Sequence, residues 1–299
     1  MYHTIRSLFI QLITEKFGFG FIIGMISLYT IQYIWDRMGI NYLQNTCYLI
    51  IASVCIFIGF VRINANSSQR HKQKRLVVSI EGNIGSGKST LIKYLKEHLP
   101  NHLKNKDIIF LPEPVAEWET IRDIDGKSML EKFYEDKKKY SFPFQIMAYA
   151  TRLSLIYNAV RNNPNSIIIT ERCLRTDKQV FLQMLYDTDL IERMMYQIYT
   201  KLFDIFSNDF EVDRTIYMST HPDVCFDRIF TRNRTGENNI SIEYLTKCME
   251  YHDIMMNDVM LTNKISQPNY LILDGNIDCH KNTKQLDIWM KQIIQFISS

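Results

Sequence analysis

Residues 76–90 read Leu-Val-Val-Ser-Ile-Glu-Gly-Asn-Ile-Gly-Ser-Gly-Lys-Ser-Thr, and this stretch decides the fold. It begins with a short apolar run, 76–80, rich in β-branched residues, as in a strand buried within a parallel sheet. Residues 82–89 satisfy the pattern G-x-x-x-x-G-K-[ST] of a phosphate-binding loop. Beyond the loop, Leu91, Ile92, Leu95 and Leu99 recur at helical spacing, and Pro100 marks the end of the helix. Strand, loop and helix in this order predict a site for a nucleoside triphosphate.

The glycines of this loop let its backbone approach a triphosphate closely, so that successive N–H groups and the helix N-terminus face negative charge. Lys88 is expected to reach the outer phosphates, and the hydroxyl of Ser89 is expected to ligate Mg²⁺. The predicted nucleotide-binding residues of the loop are Gly82, Asn83, Ile84, Gly85, Ser86, Gly87, Lys88, Ser89 and Thr90.

Four more apolar runs have the composition of sheet strands, and helical stretches separate them: residues 108–111, 167–169, 215–218 and 270–273. Strands that alternate with helices predict an α/β fold, here a five-stranded parallel sheet with helices on both faces. Such a sheet binds its ligands at the carboxyl ends of its strands. The candidate site therefore lies where these runs end.

Charged residues follow several of the strand ends: Glu113, the pair Glu171 and Arg172, and Asp274. The third predicted strand, residues 167–169, is not followed by the Asp and the switch Gln or Thr that are typical of a GTPase or a motor protein. Charged groups at several strand ends instead favour transfer of phosphate to a second substrate in the same cleft.

The composition is that of a globular protein, since 46% of the 299 residues are hydrophobic and 22% are charged. Residues 1–75 hold eight basic and two acidic side chains, whereas residues 76–299 hold 27 basic and 30 acidic ones. The net negative body argues against nucleic acid as a partner, because binding phosphates requires a basic face. The six cysteines form no Cys-x-x-Cys pair, which favours a reducing compartment over a disulfide framework or a structural zinc site.

Two hydrophobic segments precede the phosphate loop. Residues 17–35 are uncharged, and a helix of that length spans about 30 Å, the thickness of a bilayer core. Asp36 and Arg37 interrupt the pattern, and residues 38–61 are again uncharged. These features predict a membrane hairpin of two transmembrane helices over residues 1–62, a basic linker over 63–74 and a globular domain over 75–299.

The basic residues predict how this hairpin is oriented. Positive charges lie before the first segment and directly after the second, at Arg6, Lys16, Arg62, Arg70, Lys72, Lys74 and Arg75. The positive-inside rule then places both ends, and the globular domain, on the cytosolic side of the membrane. Two alternatives remain: a helical hairpin buried against the globular domain, and a mitochondrial presequence, against which Glu15 counts.

Six segments resemble, in order and spacing, the motifs of the deoxynucleoside kinase family, and in particular its deoxycytidine and deoxyguanosine kinase branch. They are residues 81–90, residues 111–118 (Leu-Pro-Glu-Pro-Val-Ala-Glu-Trp), Phe144-Gln145, Glu171-Arg172, the arginines at 228, 232 and 234, and residues 271–276 (Leu-Ile-Leu-Asp-Gly-Asn). The resemblance covers about residues 75–299. It implies a P-loop kinase, homodimeric, that phosphorylates the 5′-hydroxyl of a deoxynucleoside with ATP and Mg²⁺, with UTP left open as a donor.

The resemblance also implies the catalytic roles. Glu113, between two prolines that stiffen its backbone, is the candidate general base for the sugar 5′-hydroxyl. Arg172 is expected to orient Glu113 and contact the phosphates, and Glu171 to help Ser89 hold Mg²⁺. Cys173 stands where the family usually has serine, which puts one minor hydrogen bond in doubt.

Arg228, Arg232 and Arg234 resemble the basic residues of the family's closing lid, and Arg232 is assigned to catalysis. Guanidinium groups there would neutralise phosphate oxygens in the transition state. Without the resemblance, these arginines are interpreted as a solvated, salt-bridged surface. Glu237 and Tyr134 are expected to bind the sugar 3′-hydroxyl.

Two further sets of residues follow from the same resemblance. Asp274 and Asn276 belong to the loop that lies on the adenine side of ATP. Gln145 is expected to pair with two edge atoms of the nucleobase, between aromatic walls formed by Trp118, Phe144 and Phe181.

Arg152 and Asp177 fall where the deoxycytidine and deoxyguanosine kinases carry the same pair, and Ala148 matches the smaller residue of the purine-tolerant branch. Leaving this ionic pair without a polar nucleobase edge would be costly. Deoxycytidine, deoxyadenosine and deoxyguanosine are therefore expected to be preferred over thymidine. The alternative interpretation is a purely structural ion pair.

Two other functions remain open. A nucleoside monophosphate kinase would need cations for a substrate phosphate near the nucleobase pocket, and Glu113 would face that anion. A membrane-bound nucleotide-binding scaffold without kinase activity is the second alternative.

Overall fold

A computed structural model shows the fold and describes residues 75–104, 106–207, 210–261, 269–279, 281–282 and 284–298. Five strands form one sheet: β1 (Leu76–Gly82), β2 (Ile108–Leu111), β3 (Ile167–Glu171), β4 (Arg214–Ser219) and β5 (Tyr270–Asp274). All neighbours pair in parallel, in the order β2-β3-β1-β4-β5. The predicted five-stranded parallel sheet is confirmed.

The α-helices of the described residues are α1 (Lys88–His98), α2 (Val115–Trp118), α3 (Met129–Glu135), α4 (Lys137–Asn162), α5 (Leu174–Thr176), α6 (Gln183–Asp187), α7 (Arg193–Phe206), α8 (Pro222–Arg232), α9 (Ile242–Leu261) and α10 (Gln285–Ser298). Short 3₁₀ turns follow α1 at Leu99–Asn101 and precede α9 at Glu237–Asn239, and a π-helix, Asp177–Leu182, joins α5 to α6. Pro100 lies in the turn directly after α1, where the sequence predicts the helix to end.

The membrane hairpin predicted over residues 1–62, and the basic linker after it, lie outside the described residues. Within the part of the chain that the structure describes, none of the helices combines the length and the apolar character needed to cross a bilayer.

Both faces of the sheet are covered by helices. The side chains of β3 alternate, so that Ile168 enters the core on one face while Ile167 and Ile169 enter the core on the other. The second core is closed by α1 and α10, through Leu91 and Trp289 among others. Burial on both faces explains why the strands are continuous apolar runs in the sequence.

The strand order creates a crevice beside β1. From β1 the chain passes through α1 to β2 on one side of the sheet, and after β3 it crosses to β4 on the other side. The connections on the two sides of β1 therefore diverge, and a ligand crevice forms at such a switch point outside the carboxyl ends of the strands.

Candidate active site

One cavity of about 900 Å³ opens at this carboxyl edge. Gly82, Asn83 and Asp274 are the predicted site residues that do not line it. The others all do: Ile84, Gly85, Ser86, Gly87, Lys88, Ser89, Thr90, Glu113, Trp118, Tyr134, Phe144, Gln145, Arg152, Glu171, Arg172, Asp177, Phe181, Arg228, Arg232, Arg234, Glu237 and Asn276. The topology thus brings residues from opposite ends of the domain into one site.

The phosphate loop joins β1 to α1 and turns on glycines. Gly82, Gly85 and Gly87 have φ angles of 142°, 78° and 100°. At Gly85 a β-carbon would lie 2.5 Å from the carbonyl oxygen of Cys225 in α8, so that only glycine fits. Because the first N–H groups of α1 have no helical acceptors, this end of the helix attracts phosphate oxygens.

The side chain of Lys88 is buried and folds back over the loop. Its Nζ donates to the carbonyl oxygens of Gly82 at 3.0 Å and Asn83 at 2.6 Å. Burial, and then the positive charge of Arg172, lower the pKa of Lys88 to about 8. The side-chain amide of Asn83 donates to the carbonyl of Leu245 in α9 at 2.8 Å. Gly82 and Asn83 therefore act on the site by holding Lys88 and the loop in place.

The two predicted magnesium ligands are in contact, since the hydroxyl of Ser89 donates to Oε1 of Glu171 at 2.7 Å. A hydroxyl and a carboxylate suit Mg²⁺, which takes oxygen ligands and keeps waters and substrate phosphates in its remaining positions. Among the described residues, no three His, Cys, Asp or Glu side chains are grouped to hold a metal. Ser89 and Glu171 are therefore suited to supply two oxygen ligands to Mg²⁺.

Glu113, which follows β2, is held by two buried arginines. Nη1 of Arg172 donates to its two carboxylate oxygens at 2.8 and 2.9 Å, and Nη2 of Arg152 donates to Oε1 at 3.0 Å. Burial raises the pKa of Glu113, but the charges of Arg172, Arg152 and Lys88 outweigh burial and lower the pKa to about 2. The carboxylate is therefore ionised at neutral pH, and the guanidinium groups of Arg152 in α4 and of Arg172 after β3 fix its direction.

Arg152, in α4, lies at the centre of this buried ionic network. Its Nε donates to Oδ2 of Asp177 at 2.9 Å, and its Nη1 donates to the carbonyl oxygen of Glu171 at 2.6 Å. Burial raises the pKa of Asp177 to about 6, even though Arg152 acts to lower it. Arg152 thus connects Asp177, predicted to recognise the nucleobase, with Glu113, predicted to be the general base.

Aromatic side chains wall the other half of the cavity. The rings of Trp118 and Phe144 meet edge to face with centroids 5.4 Å apart, and the guanidinium of Arg172 lies 5.2 Å from the centroid of Phe181. Gln145 is 2% exposed, and its Oε1 has no hydrogen-bond partner among the described residues. A buried amide oxygen without a partner, on a residue that lines a cavity, indicates a polar ligand.

The three arginines of the predicted lid have different partners. Arg232, the last residue of α8, and Arg234 both donate to the buried carboxylate of Glu237, with Nη1 of Arg234 at 3.2 Å from Oε1. Arg228 donates instead to backbone carbonyls, including that of Ser86 in the phosphate loop at 3.2 Å. In this structure Arg228 braces the phosphate loop, while Arg232 and Arg234 are paired with Glu237.

Asp274 and Asn276 form a small hydrogen-bonded unit after β5. Oδ1 of Asp274 accepts from the backbone N–H and the side-chain amide of Asn276, at 3.1 and 2.8 Å. Oδ1 of Asn276 in turn accepts from the backbone N–H of His221 at the start of α8, at 2.8 Å. Asp274 is exposed and acts by fixing the neighbour that lines the cavity.

The cavity is also lined by aromatic residues that the sequence does not single out, namely Phe133, Tyr244 and Trp289. Phe133 stacks on Phe144 with centroids 4.6 Å apart, and Tyr244 meets Tyr134 edge to face at 6.3 Å. Burial, and then the nearby charge of Glu237, raise the pKa of Tyr134, so its hydroxyl stays protonated. Phe133 adjoins the predicted Tyr134 in the sequence, whereas no local pattern distinguishes Tyr244.

Comparison with known proteins gives a consistent result. The family model described as deoxynucleoside kinase matches residues 78–298. Deoxycytidine kinase 1 of Xenopus laevis is 28% identical over 256 residues, which are 78% of this chain and 94% of that protein. A probable deoxycytidine kinase of Fowlpox virus is 32% identical over 192 residues, 64% of this chain and 74% of the viral protein. The deoxycytidine kinase of Homo sapiens is 28% identical over 245 residues, 74% and 91% of the two chains.

Proposed function

The chain belongs to the deoxynucleoside kinase family, and on that premise we propose that it uses ATP to make deoxynucleoside monophosphates for nucleotide salvage. It is a deoxynucleoside kinase, a phosphotransferase with an alcohol group as acceptor. The observation that carries the proposal is that the carboxylate of Glu113 accepts hydrogen bonds from Arg172 and lines the same cavity as the phosphate loop.

In the proposed reaction Glu113 accepts the proton of the sugar 5′-hydroxyl while that oxygen bonds to the γ-phosphorus of ATP. The bond from the γ-phosphorus to the β,γ-bridging oxygen breaks, and ADP leaves. Such a base contributes about 10²–10⁴-fold to the rate. The remaining catalysis is positioning and charge neutralisation, which Lys88, Arg172 and Arg232 supply.

The metal and the sugar are assigned to the two ends of the same cleft. When bound, Mg²⁺ neutralises phosphate charge, and Ser89 and Glu171 would hold it. The carboxylate of Glu237 and the hydroxyl of Tyr134 bind the 3′-hydroxyl of the sugar. This assignment is supported by the burial of Glu237 and by the protonated state of Tyr134.

For the nucleobase, we propose a preference for deoxycytidine, deoxyadenosine and deoxyguanosine over thymidine. Its support is the buried pair of Arg152 and Asp177 beside the unpaired amide oxygen of Gln145. An exocyclic amino group on the nucleobase can donate to Oε1 of Gln145 or to the carboxylate of Asp177, and cytosine, adenine and guanine carry such a group whereas thymine does not. The 5-methyl group of thymidine would press against the ionic pair and leave it unsolvated.

A kinase assay with the full-length protein and the four deoxynucleosides tests the proposal. It measures the transfer of radiolabelled γ-phosphate from ATP to each deoxynucleoside. Phosphorylation of deoxycytidine, deoxyadenosine or deoxyguanosine with a higher kcat/KM than thymidine is the expected result. A higher kcat/KM for thymidine would refute the nucleobase preference. Transfer to no nucleoside, with ATP bound, would favour the nucleotide-binding scaffold.

The nucleoside monophosphate kinase alternative is disfavoured by the charge state of Glu113. An acceptor phosphate would meet this ionised carboxylate, and the repulsion would weaken binding. Deoxycytidine and deoxycytidine monophosphate, compared as acceptors in the same assay, separate the two functions. Faster transfer to the monophosphate would replace the proposal by this alternative.

Membrane attachment and dimerisation are proposed from the sequence and from the family resemblance. The hairpin over residues 1–62 would keep the enzyme in the membrane, with the kinase domain facing the cytosol. Full-length protein is expected to stay in the pellet after an alkaline carbonate wash, and its release would defeat this proposal. Light scattering of the purified protein is expected to give the mass of a homodimer, and a monomer mass would contradict it.

A further inference from the structure

The backbone of Arg172 adopts an unusual conformation. Its φ angle is 61°, in the left-handed region that non-glycine residues seldom occupy. The clash of the β-carbon with the following carbonyl oxygen makes this conformation unfavourable for arginine, so surrounding contacts must impose it.

This backbone conformation determines the direction of the Arg172 side chain. Side chains alternate along a strand, so a continued β3 would point Glu171 and Arg172 to opposite faces. Both line the cavity instead. Nη1 of Arg172 reaches both oxygens of Glu113, and its Nε, buried without a partner among the described residues, is left for a ligand.

Two hydrogen bonds hold the backbone of Arg172, one at each end of the residue. Its N–H donates to the carbonyl of Ile80 in β1 at 3.0 Å. Its carbonyl oxygen accepts from the hydroxyl of Thr170 at 2.9 Å, and Thr170 is itself 2% exposed. The first is a main-chain contact that many side chains at 172 would permit, whereas the second depends on a hydroxyl at position 170.

We propose that Thr170 is a positioning residue of the kinase reaction: its hydroxyl fixes Arg172 in the left-handed conformation from which Arg172 aims Glu113. Thr170 does not line the cavity and acts only through Arg172. The inference rests on the roles proposed above for Glu113 and Arg172.

The test compares Thr170→Val with Thr170→Ser in the full-length enzyme. Valine keeps the shape and β-branching of threonine and removes the hydroxyl, whereas serine keeps the hydroxyl. Loss of the hydrogen bond from Thr170 to the carbonyl oxygen of Arg172 is expected to lower kcat about five- to tenfold. The KM for deoxynucleoside is expected to stay within about twofold of the wild-type value. Serine is expected to keep kcat within about twofold of wild type.

Ser79 offers a matched control, because it pairs with Thr170 in register across β1 and β3 and its buried hydroxyl has no partner among the described residues. Ser79→Ala therefore removes a neighbouring sheet hydroxyl without touching Arg172, and kcat is expected to be unchanged. In an Arg172→Lys background, adding Thr170→Val is expected to lower kcat by a further factor of less than about two. The reason is that Thr170 acts through the guanidinium of Arg172, which this background already lacks.

Several results would overturn the proposal. One is a wild-type kcat in Thr170→Val, and a second is a loss of kcat in Thr170→Ser as large as that in Thr170→Val. A third is a loss of kcat in Ser79→Ala as large as that in Thr170→Val. The fourth is that Thr170→Val lowers kcat as strongly in the Arg172→Lys background as it does in the wild-type enzyme. If the valine variant fails to fold by circular dichroism, Thr170→Ala is measured by the same criteria. An inactive wild type would instead refute the proposed function, so the two failures are distinguishable.

Discussion

Replacing Glu113 by glutamine tests the catalytic assignment most directly. The carboxylate accepts three hydrogen bonds from two arginines, two from Nη1 of Arg172 and one from Nη2 of Arg152. Glutamine keeps one oxygen acceptor, but its amide nitrogen is a donor and cannot accept from a guanidinium. The side chain keeps its size, loses its charge and can no longer take up the proton of the sugar hydroxyl.

The structure sets two magnitudes for this variant. Loss of the general base is expected to lower kcat by about 10²–10⁴-fold, which corresponds to about 2.7–5.5 kcal/mol in the activation free energy. Loss of a charge-assisted hydrogen bond is expected to lower the free energy of unfolding by about 1.5–3 kcal/mol. The Kd for ATP is expected to change by less than about threefold, because the phosphate loop is held by Lys88 and α1.

Single-turnover transfer from labelled ATP, ATP titration and urea unfolding measure the three quantities on the same preparation. Glu117→Gln is a matched control, since Glu117 is exposed four residues along the same segment. Its turnover is expected to equal that of the wild type.

The result that refutes the reasoning is a Glu113→Gln enzyme that folds, binds ATP and keeps more than about one tenth of wild-type kcat. Glu113 would then be an ionic brace for Arg172 and Arg152, and another group or a water would take the proton. A loss of ATP affinity as large as the loss of kcat would also contradict the assignment, because the defect would lie in the phosphate site.

Three further predictions concern the nucleobase, the loop and the dependence of stability on pH. Changing Arg152 to Met and Asp177 to Ala together is expected to raise the ratio of kcat/KM for thymidine over deoxycytidine; an unchanged ratio means that the pocket is misplaced. Gly85→Ala is expected to weaken ATP binding about tenfold, because its β-carbon meets the carbonyl of Cys225 at a positive φ. Gly126→Ala is the control in ATP titration, since Gly126 has a similar φ and open space around it. Burial raises the pKa of Asp177 from its ordinary 3.8 to about 6, so the folded protein holds a proton that the unfolded chain releases. This contribution to stability, up to about 3 kcal/mol, is present below pH 4 and is lost as the pH rises to about 6. Asp177→Asn is expected to flatten that slope in urea titrations, and an unchanged slope would contradict the shift.

The central strands of the sheet, β1, β3 and β4, are predictable from sequence because they are buried on both faces. Residues 167–169 form an apolar run, which predicts that the strand ends at residue 169. Its actual end is Glu171, because main-chain pairing with β1 continues through Thr170 and Glu171 whatever their polarity. A hydrophobic pattern reports burial against the core, whereas the ladder of hydrogen bonds extends into the polar residues that form the site.

The motifs predict most of the residues that line the cavity, but not the hydrogen bonds that those residues make. Arg228 was expected to face phosphates, and in the folded chain it donates to backbone carbonyls of two loops. A sequence shows that a guanidinium is present, but not which of several acceptors lies nearest once the loops are packed. The same limit applies to the contact of Thr170 with Arg172. It depends on the left-handed backbone conformation of Arg172, which the residue types at these positions do not predict.

The contact between Arg152 and Glu113 has a consequence for specificity. Sequence motifs assign Arg152 and Asp177 to nucleobase recognition and Glu113 to chemistry, as separate functions. The structure joins them, because Nη2 of Arg152 lies 3.0 Å from Oε1 of Glu113 while its Nε binds Asp177. A change that admits thymidine by removing Arg152 therefore also removes one of the two arginines that hold Glu113, the proposed general base.

The double variant at 152 and 177 should accordingly have a lower kcat with every deoxynucleoside, alongside its altered preference. Loss of one charge-assisted hydrogen bond to Glu113 predicts a decrease of about tenfold or more, because such bonds contribute about 1.5–3 kcal/mol. Asp177→Ala alone leaves Arg152 on Glu113 and should alter preference with a smaller loss of kcat. If the double variant gains thymidine activity at undiminished kcat, the contact between Arg152 and Glu113 has no part in catalysis, and Arg172 alone aims the carboxylate.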